Sequence, residues 1–322
     1  MRILFAGSPM IAVPSLRVLS ELEMKGKGIF LAGVLTNPDS KRGRSGRKEA
    51  TDLSIAALEL DRIRKEKDLV PIPQLKPEKL DAAARREVAA LEADILVSFA
   101  YGSIFGPRFL ALFPQGGINV HPSLLPKYRG ASPIPAVILG REKETGICIQ
   151  KLAAELDAGD ILAEDRFTLS GRETTASLGE ITGLRAARLL ESLLLECDSV
   201  FSSGRPQKNG ATYCSEIKKE AGVIDWNRSA AEIDAQIRAY TPWPLSFTRC
   251  GTDTLIILEA EPFEETPKKV PGTVLGTDER GILIQTGDGI LAVTRLQWRT
   301  KKALDWKVFC NGARGFIGSQ LG

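Results

Sequence analysis

The chain has 322 residues, 43% hydrophobic and 26% charged, and a net charge of +3. That is the composition of one or two soluble globular domains with a sizeable core, and it excludes a polycation, so any nucleic-acid contact has to come from local basic patches. The cysteines (Cys148, Cys197, Cys214, Cys250, Cys310) are scattered without metal-ligand spacing, and there is one histidine. A zinc site is therefore not expected, and the thiols read as the reduced cysteines of a cytoplasmic protein. Met1-Arg2 runs straight into a strand with no secretory leader, and no apolar run is long enough to span a membrane.

In chain order, Arg2–Pro9 reads as a buried strand ending in a turn, followed by a helix over 10–23. Gly7 at that junction lacks the Gly-x-Gly-x-x-Gly spacing of a dinucleotide site. A second strand is predicted over 29–35. Lys41, Arg42, Arg44, Arg47 and Lys48 then crowd a glycine-rich loop. Such a loop suits a phosphate backbone, though charge runs are more often solvated surface. Helix is predicted over 51–67, strand over 69–72, helix over 76–91, and a buried strand over 94–102 ending at Tyr101-Gly102. Apolar strands alternating with helices imply a mostly parallel, Rossmann-like α/β sheet covered on both faces.

The next stretch, 117–130, carries the densest signal. Asn119 and His121 are two residues apart on a strand, so an amide and an imidazole share one face where the strand meets a loop stiffened by Pro122 and Pro126. His121 alone has an ordinary pKa near neutrality. A helix is predicted over 132–139. A second strand over 145–152 leads to Leu156-Asp157-Ala158-Gly159-Asp160, which supplies an acid. A strand over 161–169 and a long amphipathic helix over 174–201 complete this half.

Asn119-x-His121-x-Ser123-Leu124-Leu125-Pro126-x-x-Arg129-Gly130, followed by Leu156-Asp157-x-Gly159, resembles the folate-dependent formyltransferases. The opening Phe5-Ala6-Gly7-x-Pro9 is similar to theirs as well. The resemblance implies catalytic roles for Asn119, His121 and Asp157. It also implies a folate pocket walled by Tyr101, Gly102, Ser123, Leu124, Leu125 and Pro126, with 10-formyltetrahydrofolate as co-substrate and no metal.

From residue 211 the pattern changes to a helix over 229–239 and short strands over 245–249, 254–260, 272–275, 281–286 and 290–296. Together they suggest a small barrel of the oligonucleotide-binding type. Asp225-Trp226, Arg238 and Pro242-Trp243-Pro244 resemble the second domain of the branch of the family that acts on methionyl initiator tRNA. Lys301-Lys302 and Asn311–Arg314 resemble its end. The expected organisation is a catalytic domain over 1–203, a linker over 204–210 and a tRNA-binding domain over 211–322. The resemblance implies that the basic loop and Lys301-Lys302 contact tRNA, with initiator Met-tRNA and the folate as partners of a cytoplasmic monomer. The first domain alone also fits a formyltransferase for glycinamide ribonucleotide or a nucleotide amino-sugar, and a non-catalytic nucleic-acid binder remains the alternative of a different class.

Overall fold

The computed structural model describes residues 1–41, 46–196, 204–266 and 268–322. The chain divides into two compact units. The first comprises Met1–Pro133, Glu144–Phe167 and Gly179–Cys214, and the second Ile134–Lys143, Thr168–Leu178 and Ser215–Gly322. In order come β1 (Arg2–Gly7), α1 (Val13–Met24), β2 (Phe30–Leu35), β3 (Ser40–Lys41), β4 (Lys48–Glu49), α2 (Asp52–Lys65), β5 (Gln74–Leu75) and α3 (Ala82–Ala89). Next are β6 (Ile95–Phe99), α4 (Pro107–Leu110), β7 (Gly117–His121), β8 (Arg129–Gly130), α5 (Pro133–Leu139), β9 (Glu144–Lys151), β10 (Ile161–Thr168), α6 (Thr175–Glu196) and β11 (Tyr213–Cys214).

The first unit is built on a sheet of order β10-β9-β7-β6-β1-β2-β5. β1 pairs in parallel with β2 and β6, β2 with β5, and β6 with β7, whereas β9 runs antiparallel to β7. The alternation of side chains along buried strands sorts the core into two layers. Ile3 and Phe5 of β1, with Ile95 and Val97 of β6, join the cluster that takes in Leu16 and Leu19 of α1, Leu53 of α2 and Leu190 of α6. Leu4, Ala6 and Leu96 point the other way, to Val88, Phe109 and Phe113. The strand order reverses between β1 and β6, and their carboxyl ends open the crevice typical of such a switch point.

Three expectations change, each for a specific physical reason. The strand expected over 69–72 lies instead at Gln74–Leu75. Pro71 and Pro73 have no N–H to give a ladder, so pairing with β2 begins after them, while Ile72 still packs into the core. The helix expected over 76–91 is confined to α3, because Asp81 caps it, its Oδ1 accepting from the Ala83 and Ala84 amides at 2.9 and 3.0 Å. Residues 204–210, expected as linker, are part of the first unit. Arg205 exchanges main-chain hydrogen bonds with Ile161 at 2.9 and 3.0 Å, and β11 pairs in parallel with β8. The unit boundary therefore falls after Cys214. Of the helix expected over 174–201, α6 accounts for the part up to Glu196; the rest lies outside the described residues. The opening residues of α6 belong to the second unit. There Thr175 Oγ1 donates to the Ala239 carbonyl at 2.5 Å and Arg238 Nη1 to the Glu173 carbonyl at 3.1 Å.

The second unit contains α7 (Ala230–Ala239), β12 (Ser246–Cys250), β13 (Asp253–Phe263), β14 (Val274–Asp278), β15 (Gly281–Gln285), β16 (Ile290–Trp298), β17 (Leu304–Asp305) and α8 (Trp306–Gly312). Ser229 and Glu232 form a reciprocal capping box that starts α7. Its Ile233 and Ile237, about one helical turn apart, pack on Leu255, Ile257 and Leu291. The antiparallel sheet has the order β12-β13-β16-β15-β14, with β17 beside β16. β12 and β14 are its two ends, and the C-terminal segment bridges both: Leu321 pairs with Cys250 and Gln320 with Thr273. The expected small barrel is thus closed by the tail, which removes two exposed edges.

Deleting 318–322 should unfold the second unit at lower urea. The deletion removes the main-chain bonds Gly318 N to Val274 O (2.8 Å), Val274 N to Ser319 O (2.9 Å), Leu321 N to Gly272 O (2.9 Å) and Gly322 N to Arg249 O (3.1 Å). At roughly 1 kcal/mol for each bond and about 2 kcal/mol for burying Leu321, a loss of several kcal/mol is expected in a urea melt followed by tryptophan fluorescence.

Candidate active site

β7 carries Asn119 and His121 on one face, while Ile118 and Val120 on the other enter the core. The antiparallel register of β9 sets Gln150 opposite Asn119 and Cys148 opposite His121. After β9 the chain loops out and returns at Asp160, whose carbonyl accepts from Lys151 N at 2.9 Å. This closure needs Gly159, because a Cβ there would collide with the Lys151 carbonyl. The loop carries Asp157 back over β7 in a left-handed conformation (φ 52°), which Asp tolerates better than most residues.

The structure thus brings together Asn119, His121 and Asp157. The Asp157 side chain is 10% exposed and that of His121 4%. Asp157 Oδ1 accepts from Gln150 Nε2 at 2.9 Å and, at a long 3.4 Å, from Asn119 Nδ2; Oδ2 accepts from the Gly130 amide at 2.8 Å. Gly130 has φ 113°, and a Cβ on it would strike the Cys214 carbonyl, so only glycine brings this amide to the carboxylate.

His121 Nε2 lies 2.9 Å from the Tyr128 carbonyl. A carbonyl only accepts, so Nε2 carries the hydrogen. Burial pushes the imidazole below its ordinary 6.5, against the pull of the Asp157 carboxylate. At neutral pH the ring is therefore uncharged, with a bare Nδ1 facing Asp157 Oδ2 across 3.6 Å. Two acceptors meet there with no hydrogen between them. The arrangement is complementary to an N–H or O–H group that donates to both.

Behind Asp157 lies a layer that the sequence reading misses. Gln207 Nε2 donates to Gln150 Oε1 (3.1 Å), the Asp157 carbonyl (2.8 Å) and the Gly159 carbonyl (2.9 Å). Its Oε1 accepts from Arg129 Nε and Nη2 at 3.1 and 2.8 Å. Arg129 Nη1 reaches Glu155 and the Tyr213 hydroxyl at 3.1 and 3.2 Å. Gln150 had a signal, an amide in an otherwise apolar strand; Gln207, in a turn-rich stretch, had none.

The expected folate-pocket residues divide into separate groups. Leu125 is buried with Cys148 and Ile161. Ser123 Oγ donates to the Lys127 carbonyl at 2.7 Å and so ties the loop. Leu124 packs against Gly146 of β9, and Pro126 follows a cis peptide. Tyr101 is buried and stacks on Phe105 at 5.4 Å, with burial pushing its phenol up to about 12. Tyr101 and Gly102 line a pocket of about 570 Å³ with Ser8, Asn37, Asp39 and Thr51 at the switch point of the sheet. Of the basic loop, Lys41, Arg47 and Lys48 are exposed on or beside the β3–β4 ribbon, whereas Arg42 and Arg44 lie outside the described residues. Lys301 and Lys302 are exposed in the turn between β16 and β17 of the second unit. Among the described residues no helix is long and apolar enough to cross a membrane, and no group of three or more His, Cys, Asp or Glu is placed to hold a metal ion.

A mostly parallel sheet with a strand-borne Asn/His pair under an Asp loop, followed by a small barrel, defines a class. The formyl transferase family profile matches residues 1–189, and the profile for the formyl transferase C-terminal domain matches 216–314. The chain belongs to the formyl transferase family. It is 46% identical to the methionyl-tRNA formyltransferase of Treponema denticola, over 98% of each chain. Among solved structures it is similar to an N-formyltransferase from Helicobacter canadensis in complex with folinic acid and dTDP-3-aminofucose (TM-score 0.61, 19% identity, 90% of this chain and 98% of that one). It is also similar to HypX from Aquifex aeolicus in complex with tetrahydrofolic acid (TM-score 0.60, 18% identity, 99% of this chain), of which it spans 48%.

Two measurements check this geometry. Gly130→Ala should cost about 1–3 kcal/mol in a urea melt, because the added methyl cannot occupy φ 113° beside Cys214. The lone His121 should titrate by NMR below 6.5. A depressed folded pKa means that the unfolded chain binds the proton first. The contribution of His121 to stability is therefore complete above about pH 6.5 and is lost as pH falls from there through the folded pKa.

Proposed function

We propose that the chain transfers a formyl group from 10-formyltetrahydrofolate to the amino group of methionyl initiator tRNA. The observation that carries the reading is the paired acceptors His121 Nδ1 and Asp157 Oδ2, 3.6 Å apart beside the Asn119 amide. Full-length similarity to a relative named methionyl-tRNA formyltransferase supports the choice of acceptor, and the likeness to folate-bound structures supports the donor.

The chemistry follows from these atoms. An attacking amine donates its hydrogens to His121 Nδ1 and Asp157 Oδ2. As the nitrogen bonds to the formyl carbon, its proton passes to Nδ1, and the neighbouring carboxylate stabilises the imidazolium. Asn119 Nδ2 has two hydrogens; one faces Asp157 Oδ1, and the second donates to the oxyanion that develops on the formyl oxygen. The imidazolium then returns the proton to the departing folate nitrogen, so His121 ends neutral and no covalent enzyme intermediate forms. His121 accepts first in this mechanism, because its only N–H is held by the Tyr128 carbonyl. The donor set of amide, imidazole and carboxylate suffices for acyl transfer without a metal.

The switch-point pocket with Tyr101 and Gly102, and the loop Ser123–Pro126, are assigned to holding the substrates. Lys41, Arg42, Arg44, Arg47 and Lys48, with Lys301 and Lys302, are assigned to the tRNA backbone. Catalysis is assigned to the first unit, which takes in residues up to Cys214, and tRNA binding to its basic loop and to the second unit, in a cytoplasmic monomer.

The deciding experiment offers 10-formyltetrahydrofolate with initiator Met-tRNA, glycinamide ribonucleotide and a nucleotide amino-sugar side by side. Product on Met-tRNA alone is expected; product on a small acceptor overturns the choice of tRNA but keeps the mechanism. His121→Ala and Asp157→Asn should each lower kcat by about 10²–10⁴ while tRNA binding persists. Arg44→Ala should raise KM for tRNA and flatten its salt dependence by about one unit of log–log slope.

A further inference from the structure

We propose that Gln207 is a positioning residue for Asp157, the middle of a relay Arg129–Gln207–Gln150–Asp157 that fixes which way each amide points. The inference rests on the formyl-transfer reading above and concerns residues outside the Asn119/His121/Asp157 set.

The argument is one of donor and acceptor direction. A guanidinium only donates, so the two bonds from Arg129 fix the oxygen of Gln207 toward it. The Gln207 nitrogen then necessarily faces the Asp157 loop, where it serves the Gln150 side-chain oxygen and the carbonyls of Asp157 and Gly159. With its oxygen occupied, Gln150 turns its own NH2 to Asp157 Oδ1 at 2.9 Å. Each amide inherits its orientation from the one before. Without Gln207, Gln150 is free to flip and present an oxygen to a carboxylate, and the loop loses its grip on the carbonyls of residues 157 and 159. Gln150 is 1% exposed and Arg129 8% exposed, so water is a poor substitute along the relay.

The relay also explains why residues 204–214 belong to the first unit. β11 pairs with β8 at Tyr213 and Arg129, and Tyr213 shares Glu155 with Arg129. The segment brings Gln207 against both Gln150 and the Asp157 loop, and its Oε1 anchors the guanidinium that starts the chain. A single Gln207 nitrogen donates to both the Asp157 and the Gly159 carbonyls.

Two variants separate positioning from folding. Gln207→Glu keeps acceptors for Arg129 and removes the donors to Gln150 and the loop; Gln207→Met removes both without adding charge. In the full-length chain, each is expected to lower kcat by about 100-fold, as for an ångström-scale misplacement of a reacting group, with KM for both substrates within about threefold of wild type. His121 is the only histidine, so its imidazole signals need no assignment. Around it stand the Asp157 carboxylate, the Tyr128 carbonyl, the Arg129 guanidinium, the Asn119 amide and the Cys148 thiol. With the carboxylate no longer held beside Nδ1, the His121 titration in Gln207→Met should fall by about half a pH unit or more. An unchanged His121 titration overturns the proposal, as does a loss that lies wholly in KM, or a lowered Tm with kcat per folded molecule unchanged. If wild type forms no product with any acceptor, the formyl-transfer reading fails by itself, and the titration still decides the role of Gln207.

Discussion

The carboxylate of Asp157 organises its unit of the structure. It sits at the tip of a loop, in a left-handed backbone conformation, beside a buried uncharged imidazole. Such a group stays in place only if its lone pairs are satisfied from fixed directions. Gly130 supplies a main-chain donor and Gln150 a side-chain donor, on opposite oxygens. The requirement propagates outward: Gly130 must be glycine to let Cys214 approach, Gly159 must be glycine to let Lys151 close the loop, and Gln150 must be oriented.

The sheet makes this possible. A wholly parallel sheet would carry β9 in the same direction as β7 and open the loop after it at the same end. The antiparallel turn of β9 sets Gln150 across from Asn119 and returns the chain over His121. One reversed strand at the side of a doubly wound sheet thereby folds a polar loop over an apolar layer. Asn119 and His121 alternate with Ile118 and Val120, which hold the strand to the core.

In the proposed mechanism the neutral histidine and the neighbouring carboxylate divide the proton work by environment. Burial, the larger influence on His121, keeps it uncharged, and the adjacent carboxylate opposes burial and prepares the site for the charged ring. The Tyr128 carbonyl fixes the tautomer, leaving Nδ1 bare and facing Asp157. The second unit obeys a different constraint, that of a sheet with two ends, met by a tail that pairs with both.

Much of this was legible in the chain. Strand periodicity located β1, β2, β6, β7 and β9, and the two-residue spacing of Asn119 and His121 placed them on one face, because side-chain alternation is local. Asp157 was singled out only through the family resemblance, since Asp157-x-Gly159 by itself reads as a turn. Other features are decided by contacts between residues far apart in sequence. Arg64 reads as one of several cations on α2, yet it is fully buried, donating to Glu23 at 2.5 Å and to the Val70 carbonyl. Gln207 reads as part of a linker, yet it holds two carbonyls beside Asp157. Composition and periodicity report what a residue prefers in its own segment. Which donor meets which acceptor across 50 residues is set only when the strands pair and a buried polar group has to find its partner.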